Sequence, residues 1–83
     1  MKFTVYSTTT CPYCIMLKKW LDDKGVKYEE FLVDRNPYAA QMMISLSGQR
    51  GVPFTTIEHE DGTMDKILGF DRARIDQVLA QNA

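Results

Sequence analysis

The chain has 83 residues, 45% of them hydrophobic and 25% charged, with a net charge of −1. That length is expected to form one domain, residues 1–83, with a thin stability margin. The apolar share speaks against a disordered chain, and the near-neutral charge gives no general pull toward nucleic acid or an anionic membrane.

The period of the hydrophobic pattern changes along the chain, as it does in a mixed fold. Residues Lys2 to Ser7, with Phe3, Val5 and Tyr6, read as a first strand. Pro12 then opens a helix expected to reach Lys24, with Leu17, Trp20 and Leu21 on one face. Its charged residues, Lys18 and Lys19 among them, are read as a solvated face. Gly25 suits the stop, since it accepts positive φ without a Cβ clash. Lys27 to Val33 are rich in aromatic and β-branched types and read as a second strand. Asn36-Pro37 is an N-cap followed by proline at the first helical position. The helix it starts runs to Ser47, with Ala40, Met43 and Ile44 expected inward and Met42 also assigned to packing. Phe54 to Glu58 and Met64 to Leu68 read as two strands joined by a turn at Glu60-Asp61-Gly62. His59, among acidic neighbours, is expected to be an exposed turn residue. Asp71 caps a last helix whose inner face is Ile75, Val78 and Leu79.

This order, β-α-β-α-β-β-α, makes an α/β fold. A right-handed crossover makes the first two strands parallel, and the hairpin adds an antiparallel pair. The expectation is a four-stranded mixed sheet in the order 2-1-3-4, flanked by helices.

No stretch nears the roughly 20 apolar residues of a membrane span. The N-terminal residues lack the apolar core and cleavage site of a signal peptide, so a cytoplasmic location is expected. The chain has two cysteines, Cys11 and Cys14. A secreted disulfide scaffold would carry more, spread over long loops. A bridge between these two closes a tiny loop and stabilises little. Zinc would need two further ligands, and the one histidine is His59. No metal is therefore expected.

Thr10-Cys11-Pro12-Tyr13-Cys14 lies between a strand and a helix, the context of a redox-active Cys-x-x-Cys pair. Cys11 stands at the first helical turn, where free backbone N–H groups and the helix dipole favour a thiolate. Cys11 is accordingly read as the attacking nucleophile and Cys14 as the resolving thiol. Pro12 stiffens the turn, and Tyr13 is expected on the surface beside Cys11.

Thr9-Thr10-Cys11-Pro12-Tyr13-Cys14 resembles the active site of dithiol glutaredoxins. Gly51-Val52-Pro53 is similar to the loop before the cis-proline of the thioredoxin superfamily. Leu68-Gly69-Phe70-Asp71 falls where glutaredoxins carry Gly-Gly-x-x-Asp. The resemblance covers essentially the whole chain and implies a thioredoxin fold with a cis bond before Pro53, packed against the cysteines. It implies that Val52 offers its backbone N–H and C=O to a peptide or glutathione. It also suggests Arg50 and the helix start at Asp71 as partners for glutathione carboxylates. Three positions depart from the glutathione-binding pattern. Thr8 replaces a basic residue, Leu68 replaces the first glycine, and Phe70 follows Gly69 as in NrdH-type redoxins.

The resulting expectation is a monomeric dithiol thiol–disulfide oxidoreductase with no bound cofactor. Its partners would be disulfide-containing proteins, with electrons from glutathione or a thioredoxin reductase. The alternatives are an NrdH-type redoxin serving ribonucleotide reductase and a non-enzymatic peptide-binding module. An iron–sulfur carrier is a weaker alternative, disfavoured by Pro12.

Overall fold

The computed structural model describes residues 1–81. Its elements are β1 (Lys2–Ser7), α1 (Pro12–Asp23), β2 (Tyr28–Leu32), α2 (Pro37–Ser47), β3 (Phe54–Glu58), β4 (Met64–Leu68) and α3 (Arg72–Gln81). β1 is a central strand. It pairs in parallel with β2, from Phe3↔Tyr28 to Ser7↔Leu32, and antiparallel with β3, from Lys2↔Glu58 to Tyr6↔Phe54. β4 pairs antiparallel with β3, giving the order β2-β1-β3-β4. This is the thioredoxin-fold topology expected from the sequence.

Alternation along the strands divides the core between the two faces of the sheet. Phe3 and Val5 of β1, with Ile57 and Ile67, meet Leu17 and Leu21 of α1 and Ile75 and Val78 of α3. On the other face Tyr6 and Phe54 meet Ala39 and Met43 of α2. Thr55 of β3 is fully buried, and its hydroxyl has no hydrogen-bond partner among the described residues.

Local chemistry sets the helix ends. After α1, Gly25 (φ 71°) donates to Asp22 O and Val26 donates to Leu21 O, a paired closure of the last carbonyls. Asn36 accepts from the N–H groups of Tyr38 and Ala39, both at 3.1 Å, and starts α2. Asp71 accepts from Arg74 N–H and starts α3. No described helix is long and apolar enough to cross a membrane.

Several details differ from the sequence expectation. α1 ends at Asp23, with Lys24 as its cap, and the second strand is Tyr28–Leu32. In α2 the buried stripe is Ala39 and Met43, while Ala40 and Ile44 are half-buried and Met42 is exposed. One helix face cannot bury 39, 40, 43 and 44 equally, and the packing of Leu46 and Ala39 turns it toward 39-43-46. Trp20 lies at the margin of the core, edge-on to Phe70 and under the Lys24 ammonium.

Candidate functional site

The cysteine pair sits where the central strand passes into α1. Cys11 is the N-cap, in an extended conformation, and Pro12 takes the first helical position. The Cys14 N–H donates to Cys11 Sγ at 3.2 Å, so the sulfur occupies the place of a capping oxygen. The two sulfurs are joined in a disulfide, with the Cα atoms 5.2 Å apart. Exposure is asymmetric: Cys11 is 9% accessible and Cys14 is 0% accessible. Such a pair can store and release two electrons by breaking and re-forming one S–S bond.

Val52-Pro53, which shares a groove with Tyr13 of the pair's own turn, is a cis peptide, as the resemblance implied. Gln49 holds the approach to this bond, its amide accepting from Gly51 N–H and donating to Gly51 O. Gly69, at φ 81°, donates its N–H to Pro53 O at 2.8 Å and draws the end of β4 against the proline loop. A shallow groove of about 250 Å³ results, lined by Tyr13, Val52, Pro53, Gly69 and Phe70. Neither backbone group of Val52 has a partner among the described residues.

The structure thus gathers five of the sequence-selected residues around one groove. The others lie apart from its lining. Pro12 is exposed at the start of α1, and Arg50 is exposed before β3 with no ion pair among the described residues. The Asp71 carboxylate is engaged by Arg74 N–H. Arg72 lies over the Phe70 ring at 5.5 Å, at the edge of the groove.

Two carboxylates that sequence reasoning passed over hold the chain around the cysteines. Glu30 Oε2 accepts from Ser7 Oγ at 2.7 Å and pairs with Lys18 Nζ at 2.5 Å. Burial alone pushes the Glu30 carboxyl up, but the hydrogen bonds from Lys18 and Ser7 hold it below the usual range. Lys18 is therefore not a solvated surface charge; its side chain is 25% exposed. Asp34 Oδ2 accepts from Thr9 N–H at 3.1 Å and from Thr9 Oγ1 at 2.6 Å. Those two bonds lower the Asp34 pKa. No local motif marks either contact, because the partners are 23 and 25 residues apart. The parallel β1–β2 register is the signal that would find them.

A larger hollow, of about 590 Å³, opens at the other end of the sheet, around His59, Glu60, Asp61 and Asp65. There His59 departs from its expected exposure. Its side chain is 14% exposed, and Nε2 lies 2.7 Å from Asp65 Oδ2, because the hairpin brings residue 65 back beside it. Among the described residues, no three His, Cys, Asp or Glu side chains gather as a metal site.

A redox-active cysteine pair at a helix N-terminus, a cis-proline loop sharing a groove with Tyr13 of the same turn, and this sheet order together define a thiol–disulfide oxidoreductase of the thioredoxin superfamily. Comparison with known proteins narrows that class. The glutaredoxin family model matches residues 3–60. The chain is 37% identical to a glutaredoxin-like 8.6 kDa protein from the rubredoxin operon of Clostridium pasteurianum, over 90% of this chain and 93% of that one. It is 35% identical to glutaredoxin 3 of Escherichia coli, with the same shares covered. Among solved structures, the glutaredoxin-like NrdH-redoxin of Escherichia coli superposes with a TM-score of 0.77 at 27% identity, covering 93% of each chain. This chain belongs to the glutaredoxin family.

Proposed function

We propose that the protein reduces disulfides in other proteins with Cys11 as nucleophile and Cys14 as resolving thiol. The observation that carries the roles is the N-cap position of Cys11 Sγ, which accepts the Cys14 N–H, against the full burial of Cys14. An N–H donor and the positive end of a helix stabilise a thiolate at Cys11. The Cys11 thiolate attacks one sulfur of the substrate disulfide. A Cys11–substrate S–S bond forms, the substrate S–S bond breaks, and the departing sulfur leaves as a thiolate that takes up a proton from water. Cys14 then loses its proton and attacks Cys11 Sγ. The Cys11–Cys14 disulfide forms and the second substrate thiolate leaves. Two electrons have passed from the protein dithiol to the substrate. A substrate segment beside Cys11 finds the free N–H and C=O of Val52, which would pair with it as one more strand. Pro53 and Tyr13 bound that contact, and Pro12 keeps the turn stiff.

For the electron donor we propose a thioredoxin reductase in preference to glutathione, in a reducing compartment such as the cytoplasm. Thr8 supplies no cation for a glutathione carboxylate, and a charge-assisted contact is worth about 1.5–3 kcal/mol, roughly ten- to a hundredfold in affinity. The bulky Phe70 lines the groove, and Arg50 lies outside its lining. Gly69-Phe70 and the likeness to NrdH-redoxin favour ribonucleotide reductase as one acceptor. The deciding measurement is NADPH consumption by oxidised protein offered glutathione with glutathione reductase, then thioredoxin reductase. Faster turnover with thioredoxin reductase is expected. Strong activity with glutathione and none with the reductase overturns the donor assignment.

A further inference from the structure

The loop from Thr8 to Cys11 has no regular structure of its own, yet it delivers the reactive sulfur to its place at the helix start. It is fixed from the side by the exit of β2. Val33 N–H donates to Ser7 O at 2.8 Å, and Ser7 Oγ donates to Glu30. Two residues further on, Thr9 gives both its N–H and its hydroxyl to a single oxygen of Asp34. The placement follows from the strand register. Ser7 stands opposite Leu32, and two more residues on each chain bring Thr9 to Asp34. Beyond Thr9 only Thr10 intervenes before Cys11. Asp34 lies in the turn between β2 and the Asn36 cap of α2, where Arg35 N–H donates to Leu32 O at 3.1 Å.

We propose that Asp34 is a positioning residue for thiol–disulfide exchange: by gripping Thr9 it holds the entry to α1 so that Cys11 stays seated on the first helical N–H groups. This rests on the reading of Cys11 as the nucleophile. A capping sulfur gains from its donor only while the sulfur stays aligned with it. If the loop slackens, Cys11 spends less time in contact with the Cys14 N–H, its thiolate is less stabilised, and attack at neutral pH slows. Asp34 also carries a negative charge near the loop, and that charge acts in the opposite sense, because a nearby anion disfavours a thiolate. Position and charge therefore make opposite forecasts for removal of the carboxylate. The other charged groups around the loop are Glu30 and Lys18, paired with each other, and Arg35 beside Asp34. None of them is altered by the substitutions below.

The test is the rate of iodoacetamide labelling of the fully reduced protein against pH, with the labelled cysteine identified by peptide mapping. The proteins are wild type, Asp34→Ala, Asp34→Asn, Thr9→Val and Thr9→Ser. Asparagine offers one oxygen to both Thr9 donors without the charge, and serine keeps the hydroxyl. Asp34→Ala and Thr9→Val are expected to move the Cys11 labelling midpoint to higher pH and to slow labelling at pH 7 by about three- to tenfold. Asp34→Asn and Thr9→Ser are expected to stay near wild type. A fall in the midpoint for both Asp34→Ala and Asp34→Asn, with Thr9→Val unchanged, assigns the effect to charge and overturns the proposal. So does an unchanged midpoint in every variant, even where melting temperatures drop, since that is a purely structural contact. If Asp34→Ala does not fold, Thr9→Val against Thr9→Ser decides. Labelling of Cys14 before Cys11 in the wild type would instead overturn the assignment of the nucleophile, which the variants do not address.

Discussion

At the scale of single residues, the two sulfurs differ in what surrounds them. Cys11 has a donor and a small opening; Cys14 has neither solvent nor space. In the reduced wild type, Cys11 is expected to be alkylated first at neutral pH, with its midpoint below the free-thiol value of about 8.5. Cys14→Ser is expected to form the mixed disulfide at Cys11 and to stall there with a dithiol protein substrate, which trapping and mass spectrometry would reveal. Failure to form that first adduct would contradict a purely resolving Cys14. The place of the pair at a helix start was legible in the sequence, because Pro12 between the two cysteines suits the first helical position. Asp34 and Glu30 were not, because their partners Thr9, Ser7 and Lys18 meet them only after β2 has paired with β1.

At the scale of elements, helix ends and strand faces respond to different changes. Asn36 satisfies two free N–H groups at the start of α2. Asn36→Ala is expected to cost about 1 kcal/mol, read as a fall in melting temperature of roughly 4–8 °C. Thr55 offers the reverse case. Its hydroxyl is buried without a partner among the described residues, so Thr55→Val exchanges an unsatisfied polar atom for a methyl of similar size. That variant is expected to melt a few degrees higher. A lower melting temperature in Thr55→Val would mean the hydroxyl is satisfied. Element order, caps and the hairpin were readable because each depends on neighbours within one turn. The inward stripe of α2 was misread at Ala40, Ile44 and Met42, since the helix carries no charged residue and its polar pair, Gln41 and Ser45, leaves most of the rest of its surface apolar. His59 was misread because its partner Asp65 lies across the hairpin.

At the scale of the whole molecule, stability should depend on pH in the acid range. Glu30 is held below its usual value of 4.5 in the fold, and Asp34 and Asp61 below 3.8. A depressed carboxylate contributes stability that is fully present above the unfolded value and is lost as pH falls through the folded one. The melting temperature is therefore expected to hold above about pH 5 and to fall progressively below 4.5, with a shallower decline in Glu30→Gln. An identical decline in that variant would remove Glu30 from the account. The complete enclosure of Cys14 also bears on how such a molecule ages. A sulfur that peroxide cannot reach is spared the steps to sulfinic and sulfonic acid, which are in general irreversible. Of the two sulfurs at the site only Cys11 is open to such damage, and its first product, a sulfenic acid, lies next to a protected thiol able to condense with it and expel water. The disulfide that results is the one the reaction cycle already makes, so an oxidative accident at this site returns the protein to its own oxidised form.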